Sequence, residues 1–238
     1  MAINNDTFFQ YKEGRALSGY KSAWLVKEGD FYSLVCASES VPYVFGDKET
    51  YEYDLLQSPT KGQVQGKMSL EAQDIEVLHH RDNAYRFEKL KGKTLDFLVV
   101  NAEFVGYKFN GTLDYRPNNA EADVNRATVT ITPMSASVSP IFNARPLIQE
   151  TLAFANSIPE TVKKGEDFDL SVVQDTTATV TAKIIPDGEY DEDKETDATS
   201  KVISSDIKNV NIKEVGLYAL TVSATGYAPW TTTVYVEE

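Results

Sequence analysis

The chain has 238 residues, with 36 acidic against 23 basic side chains and a net charge of −13. That balance argues against a grip on nucleic acid through its phosphates, which needs a basic surface, and a single cysteine, Cys36, excludes an internal disulfide. With 42% hydrophobic residues, the length suffices for one large domain or two small ones, each with its own core.

Met1 to Tyr20 scatters Phe8, Phe9 and Tyr11 among polar residues and two glycines without either regular period, the pattern of an arm that docks on something else. The opening Met1-Ala2-Ile3-Asn4-Asn5-Asp6 has neither a charged nor an apolar leader region, so no signal peptide and no membrane span are expected. A soluble product made in a cytoplasm follows, and the Asn-x-Thr triplets at Asn5 and Asn110 are then chance matches. Ala23-Trp24-Leu25-Val26 and Phe31 to Ala37 read as strands joined through Lys27-Glu28-Gly29-Asp30, a compact hairpin with glycine at the turn. Cys36 takes the role of a small apolar strand residue there.

Ser38 to Lys67 is long, polar and tyrosine-rich, punctuated by Pro42, Gly46, Pro59, Gly62 and Gly66. A loop or extended hairpin of this length in a compact domain is usually functional or bound to a partner. Tyr43, Tyr51 and Tyr53 with Leu55 suit an interface, where the ring is buried and the hydroxyl finds a partner; a solvated loop is the alternative. Lys67 to Val77 alternates and then breaks. A helix is predicted over about 82–91: Asp82 and Asn83 offer N-cap chemistry, Ala84, Phe87 and Leu90 recur every third residue, Lys89 and Lys91 suit its C-terminal end, and Gly92 stops it. His79 and His80, the only histidines, are adjacent and point to different sides, a poor chelate, so no metal site is expected.

Thr94 to Pro133 reads as strand, projecting loop, strand. Leu95 to Val100 is a nearly continuous apolar run, Phe104 to Phe109 continues it, and Ala127 to Thr132 alternates with period 2. Arg116-Pro117-Asn118-Asn119 favours a turn, and Ala120 to Arg126 is too polar for a core strand. Asn110-Gly111 is the strongest short hairpin signal in the chain, yet a glycine within a strand equally marks a bulge or a close backbone approach. The bulge is favoured, since a turn would leave Thr112 to Tyr115 a very short strand.

After Pro133 a small-residue segment leads into Ile141 to Ser157, a short helix or extended linker, and a boundary is placed near Ile158. Residues 156–238 carry 16 acidic and 7 basic side chains, and no arginine follows Arg145; the asymmetry fits two units, 1–157 and 158–238. In the second, Phe168 to Val173, Thr177 to Ile185, Lys201 to Ile207, Gly216 to Ala224 and Trp230 to Val236 read as short strands between turns, the spacing of a β-sandwich. The acidic loop Asp187 to Glu195 invites calcium, but its glycine comes too early for the EF-hand pattern and no closing glutamate has the needed spacing, so it is read as a solvated turn. No Ser-His-acid or Cys-His set and no phosphate loop occurs, so neither an enzyme nor a cofactor is expected.

The Gly92-Lys93-Thr94 to Thr132-Pro133 run, with its preceding helix, its Gly111 to Tyr115 strand, its acidic loop at Glu121 and Asp123 and its closing Thr/Val strand, resembles the major tail (tail tube) protein of long non-contractile-tailed bacteriophages. The likeness covers about residues 1–150, with Leu113 nearer to Tyr115 than the family pattern has it. It implies a tail-tube-type β-sandwich or barrel with one short helix, self-assembled into hexameric rings that stack into a tube, each sheet extended by its neighbour. It further implies a long hairpin, here 38–67, that reaches the next ring, DNA passing through the lumen without specific binding, and tape measure, tail terminator and distal tail proteins as partners in a virion tail made in the host bacterial cytoplasm. Phe8, Phe9, Tyr11, Tyr43, Tyr51, Tyr53 and Leu55 are the candidate inter-subunit contacts.

Gly216-Leu217-Tyr218-Ala219-Leu220 resembles the corresponding strand of bacterial immunoglobulin-like domains, with Tyr218 two positions before the place where antibody domains carry a cysteine, here Leu220. That resemblance implies a corner pinned by the Tyr218 hydroxyl and a small sandwich displayed outside the tube, where weak adhesion to the host surface would gain from many copies. Neither cysteine of the antibody pattern is present, and Trp230 lies late. The reading from a different class is a cell-surface or carbohydrate-binding two-domain β protein with Tyr- and Trp-bearing loops as platforms.

Overall fold

A computed structural model of the chain describes residues 22–38, 45–54, 61–101, 104–118, 125–134, 138–174, 177–187, 190–204 and 207–238, with the backbone alone for 22, 36–38, 45–54 and 61–69. The chain is mainly β, with largely antiparallel sheets and one α-helix among the described residues. The first strands are β1 (Ser22–Glu28) and β2 (Phe31–Ser38), a hairpin turned at Gly29, whose φ of +72° is one glycine adopts without strain. Its register shifts between Trp24 and Leu25, a bulge that sets Val35 beyond the one-to-one pairing.

Next come β3 (Phe45–Asp54) and β4 (Lys61–Leu70), which form a two-stranded sheet of their own. The described part of the 38–67 segment is therefore an antiparallel pair of long strands, continued by β4 to Leu70. Then follow β5 (Gln73–Leu78), helix α1 (Arg81–Leu90), β6 (Thr94–Val100), β7 (Gly106–Pro117), β8 (Arg126–Pro133) and β9 (Ser139–Ile141). The first sheet has the order β2-β1-β6-β7-β8-β5, with β9 on β7.

The apolar runs at 23–26 and 97–100 are continuous because both faces of β1 and β6 are buried there. Trp24, Val26, Phe97 and Val99 join Phe109, Leu113, Tyr115, Val129 and Ile131 in a core that Phe87 and Leu90 of α1 close. Ala23, Leu25, Leu98 and Val100 face the other way, under Phe104, Ala144 and Ile148. In β8 only one face is buried, so Ala127, Val129 and Ile131 alternate with threonines.

Asn110-Gly111 forms neither the hairpin turn nor the bulge. β7 runs straight through both residues with unbroken register to β6, and glycine is required by close approach: a Cβ at Gly111 would lie 2.6 Å from the Thr132 carbonyl oxygen. The Asn110 side chain donates to the Asp96 carboxylate across the strand pair. At Gly106 a Cβ would lie 1.7 Å from the Val99 carbonyl oxygen.

The 139–157 segment is extended, apart from a 3₁₀ turn at Arg145–Leu147. Ile148 bridges to Tyr32 and belongs to the first unit, whereas Thr151 bridges to Ala228 and Leu152 is buried in the second core. The handover between cores thus lies between Ile148 and Leu152, ahead of the boundary read near Ile158.

The second sheet combines β10 (Thr161–Lys163), β11 (Ala178–Ile185), β12 (Thr196–Asp197), β15 (Gly216–Ala224) and β16 (Trp230–Glu237) in the order β10-β16-β15-β11-β12, with a small hairpin of β13 (Val202–Ser204) and β14 (Val210–Ile212). Only β10 runs parallel to its neighbour. Tyr218, Leu220, Val222, Val234 and Val236 line the inner face, covered by Phe168, Leu170, Val210 and Ile212. Phe168 to Val173 makes single bridges, at Phe168 and Val172, rather than the continuous strand its apolar residues predicted.

Gly106→Ala should be among the most damaging single changes in the first sheet, because the clash is with backbone that cannot swing away. We expect a loss of about 3 kcal/mol or more, the range of overpacking and backbone strain at a buried site, measured by urea unfolding against Gly29→Ala, where a Cβ meets nothing and only the strain of the positive φ is added.

Candidate functional site

Helix α1 has two working faces. Ala84, Phe87 and Leu90 lie on the first core, while Asp82, Tyr85 and Lys89, spaced three and four apart, form a second stripe on the other side. The helix starts one residue before Asp82, with His80 as N-cap and no side-chain capping bond. Asp82 and Asn83 are thus not its caps: Asn83 donates to the Leu78 carbonyl at 2.8 Å, and Asp82 reaches into the second unit. Gly92, with φ of +70°, ends the helix as read, its N–H donating to Leu113.

Asp82 accepts from the Thr233 backbone N–H at 2.7 Å, the Thr233 hydroxyl at 2.6 Å and the Thr232 hydroxyl at 3.2 Å. This contact exists because β10 pairs with β16 only from Tyr235 onward, which leaves the Thr233 N–H beyond its end for a side chain to satisfy. Beside it, Arg81 donates to the Glu160 carbonyl at 3.1 Å.

At the other end of the stripe sits Glu195, whose side chain is 1% exposed. It accepts from the Tyr85 hydroxyl at 2.6 Å, the Tyr190 hydroxyl at 3.0 Å and Lys183 Nζ at 2.7 Å, with Lys89 Nζ at 3.9 Å. The Tyr85 and Tyr190 rings meet edge to face at 5.7 Å, and Lys93 pairs with Glu192 at 2.5 Å. The 187–195 loop is therefore not simply a solvated turn: its last residue is an enclosed carboxylate that ties the loop to α1. Burial works to raise the Glu195 pKa, but hydrogen bonds from Lys183 and Tyr85, the charge of Lys89 and the Tyr190 hydroxyl outweigh it and hold the carboxyl below its ordinary value. Burial and the hydrogen bond to Glu195 push both Tyr85 and Tyr190 upward, so both stay protonated donors.

A third cluster fixes the β1–β2 hairpin to the helix. Arg86 donates to Glu28 at 2.5 Å, to the Leu34 carbonyl at 2.7 Å and to the Ser33 hydroxyl at 3.0 Å. Burial opposes ionisation of Glu28, yet Arg86 and Ser33 hold its pKa below the ordinary value. Between these clusters and the outer face of the second sheet lies a cleft of about 450 Å³.

Of the residues read as contacts from the sequence, Phe8, Phe9, Tyr11, Tyr43 and Leu55 lie outside the described residues, as do Glu121 and Asp123. Tyr51 and Tyr53 lie on β3, opposite Val64 and Gly62 of β4. Tyr218 is fully buried, and its hydroxyl donates to the Glu214 carbonyl at 3.2 Å. His79 Nδ1 meets the Tyr115 hydroxyl at 2.6 Å; burial, with the charge of Glu88, raises the Tyr115 pKa to about 12. Among the described residues no three His, Cys, Asp or Glu side chains are grouped to hold a metal, and no helix is long and apolar enough to cross a membrane. Glu195 carried no readable signal in the sequence; Asp82, Tyr85 and Lys89 did, as a second helical stripe opposite the apolar one.

The architecture defines a class, a mainly β protein of two cores coupled through one helix. No protein-family model and no curated protein matches the chain.

Glu195→Gln keeps the shape but removes the charge, and should cost about 1.5–3 kcal/mol, the range for hydrogen bonds to an ionised group; Tyr85→Phe, removing one donor, should cost less. A carboxyl whose folded pKa lies below its unfolded one stabilises the fold fully above the unfolded value, near 4.5, and loses that contribution as pH falls through the folded value. Stability measured against pH should therefore fall more steeply on acidification below about 4.5 for the natural chain than for Glu195→Gln.

Proposed function

We propose that this chain is a structural virion protein, the tail tube subunit of a long non-contractile-tailed bacteriophage, which assembles with copies of itself into rings stacked as a tube. The observation that carries the reading is the β3–β4 hairpin. Two ten-residue strands, about 33 Å long, pair among the described residues with each other and with no other strand. A lone two-stranded hairpin is marginally stable in water, so such an arm gains its order from a surface outside its own sheet. A neighbouring ring supplies one, with Tyr51 and Tyr53 as contact residues.

The first sheet supports the lateral contact. Among the described residues, β2 and β5 are its two edges, and an edge strand left open invites pairing with another chain. Joining the β2 edge of one copy to the β5 edge of the next is a heterologous contact that closes into a ring when the rotation allows. In this reading the first unit is a tail-tube-type β-sandwich, and six copies per ring follow the resemblance. The second is an immunoglobulin-like sandwich displayed outside, a reading supported by the layering of the β13–β14 hairpin over the five-stranded sheet and by the Tyr218 bond to Glu214. In this reading DNA passes through the lumen without a phosphate grip, against which the net charge of −13 argues. Tape measure, tail terminator and distal tail proteins are the partners implied.

Negative-stain electron microscopy with light scattering across a concentration series tests this directly. Rings or hollow tubes of uniform width are expected, and a monomer at every concentration would contradict the proposal. Replacing residues 47–68 by a short Gly/Ser turn should leave the thermal unfolding of both cores in place while abolishing stacking; tubes formed by that variant would remove the hairpin as the inter-ring contact.

A further inference from the structure

We propose that the cleft between α1, the β1–β2 hairpin and the outer face of the second sheet binds a neutral polyhydroxylated ligand, a segment of carbohydrate. Its volume, about 450 Å³, lies within the range of about 300–1,000 Å³ usual for small-ligand sites, which favour the seams between units. The proposal stands independently of self-assembly.

One wall is a row of hydroxyls. Thr181 of β11, Thr221 of β15 and Thr231 of β16 are directly opposite one another across three adjacent strands, and all three line the cleft. The Thr221 and Thr231 hydroxyls bond each other at 2.8 Å, and Thr181 donates to the Thr221 carbonyl at 3.5 Å. A hydroxyl engaged once keeps further hydrogen-bonding capacity, because it has one donor and two acceptor sites. Phe31, 39% exposed, and Trp230 add aromatic surface to the lining, matching the apolar C–H faces of a sugar ring as the threonines match its hydroxyls.

Charge decides the class of ligand. The cleft is lined by Lys27, Arg86, Lys89, Lys93 and Lys183 with Glu28 and Asp82, an apparent invitation to an anion. Those charges are already engaged within the protein: Arg86 with Glu28, Lys89 and Lys183 with Glu195, Lys93 with Glu192, and Asp82 with Thr232 and Thr233. At Arg86, Lys89, Lys93 and Lys183 an anionic ligand would have to compete with an existing pair, and drawing the cation away would leave its carboxylate partner uncompensated. A neutral ligand adds to these networks without breaking one. Among the described residues Lys27 is the exception in the lining: it is exposed and takes part in none of these pairs.

The test uses the full chain on an array carrying neutral oligosaccharides beside sialylated, sulfated and uronate-bearing ones, followed by titration in solution of the strongest neutral hit. Binding confined to neutral glycans is expected, weakened at least about tenfold by Thr221→Val and by Phe31→Ser, each about one lost contact of 1.4 kcal/mol. The two variants sit on different elements, so unfolding of one, seen in its circular dichroism, leaves the other to decide. Absence of any neutral binder, preference for acidic glycans, or neutral binding unchanged in a folded variant would each overturn the proposal.

Discussion

Ten residues of helix hold this molecule in its shape. A helix as short as α1 is marginal by itself in water, and it persists because both of its sides are used. Phe87 and Leu90 close the core of the first sheet, and Asp82, Tyr85 and Lys89 reach polar groups of the second unit. The two kinds of contact differ in physics. The apolar side is held by area removed from water, which has no direction, whereas the polar side is held by hydrogen bonds that hold only at specific distances and angles. Directionality on that side sets the orientation of the second sheet against the first.

The same division runs through the rest of the chain. Strands β1 and β6 sit in the middle of the first sheet with both faces covered, so the centre of that unit is complete. Among the described residues β2 and β5 are its edges, β2 carrying the single bridge of Tyr32 to Ile148, and the β3–β4 pair is a separate ladder. The proposed ring contact would use these edges, where a strand has backbone groups to offer another chain. Glu195 makes the opposite point within the chain. A carboxylate with 1% exposure costs heavily unless it is surrounded by donors, and it has two phenols and a lysine within hydrogen-bonding distance.

How far the sequence could be read depended on whether the deciding interaction was local. The hairpin at Gly29, the helix near 82–91 and the alternation of β8 were legible, since each follows from a period or from glycine geometry within a few residues. At Asn110-Gly111 the bulge was favoured wrongly because a bulge and a close strand approach call for the same glycine, and only the unbroken register and the Thr132 carbonyl lying 2.6 Å from the missing Cβ distinguish them. The N-cap was misassigned because Asp82, a good cap by type, is drawn instead to an open N–H of β16 at 151 residues' separation. The acidic loop looked solvated because Glu195 has its partner Tyr85 110 residues away.

By itself, then, the sequence determined the β class, the helix and which residues are apolar enough to fill a core. Those are properties of neighbours in the chain, set by periodicity and by backbone freedom at glycine and proline. Only the tertiary structure decided which carboxylates are enclosed, where the handover between cores falls, and that Thr181, Thr221 and Thr231 line up as one wall. Those depend on strand register and helix docking, which bring together groups that no sequence interval marks as partners.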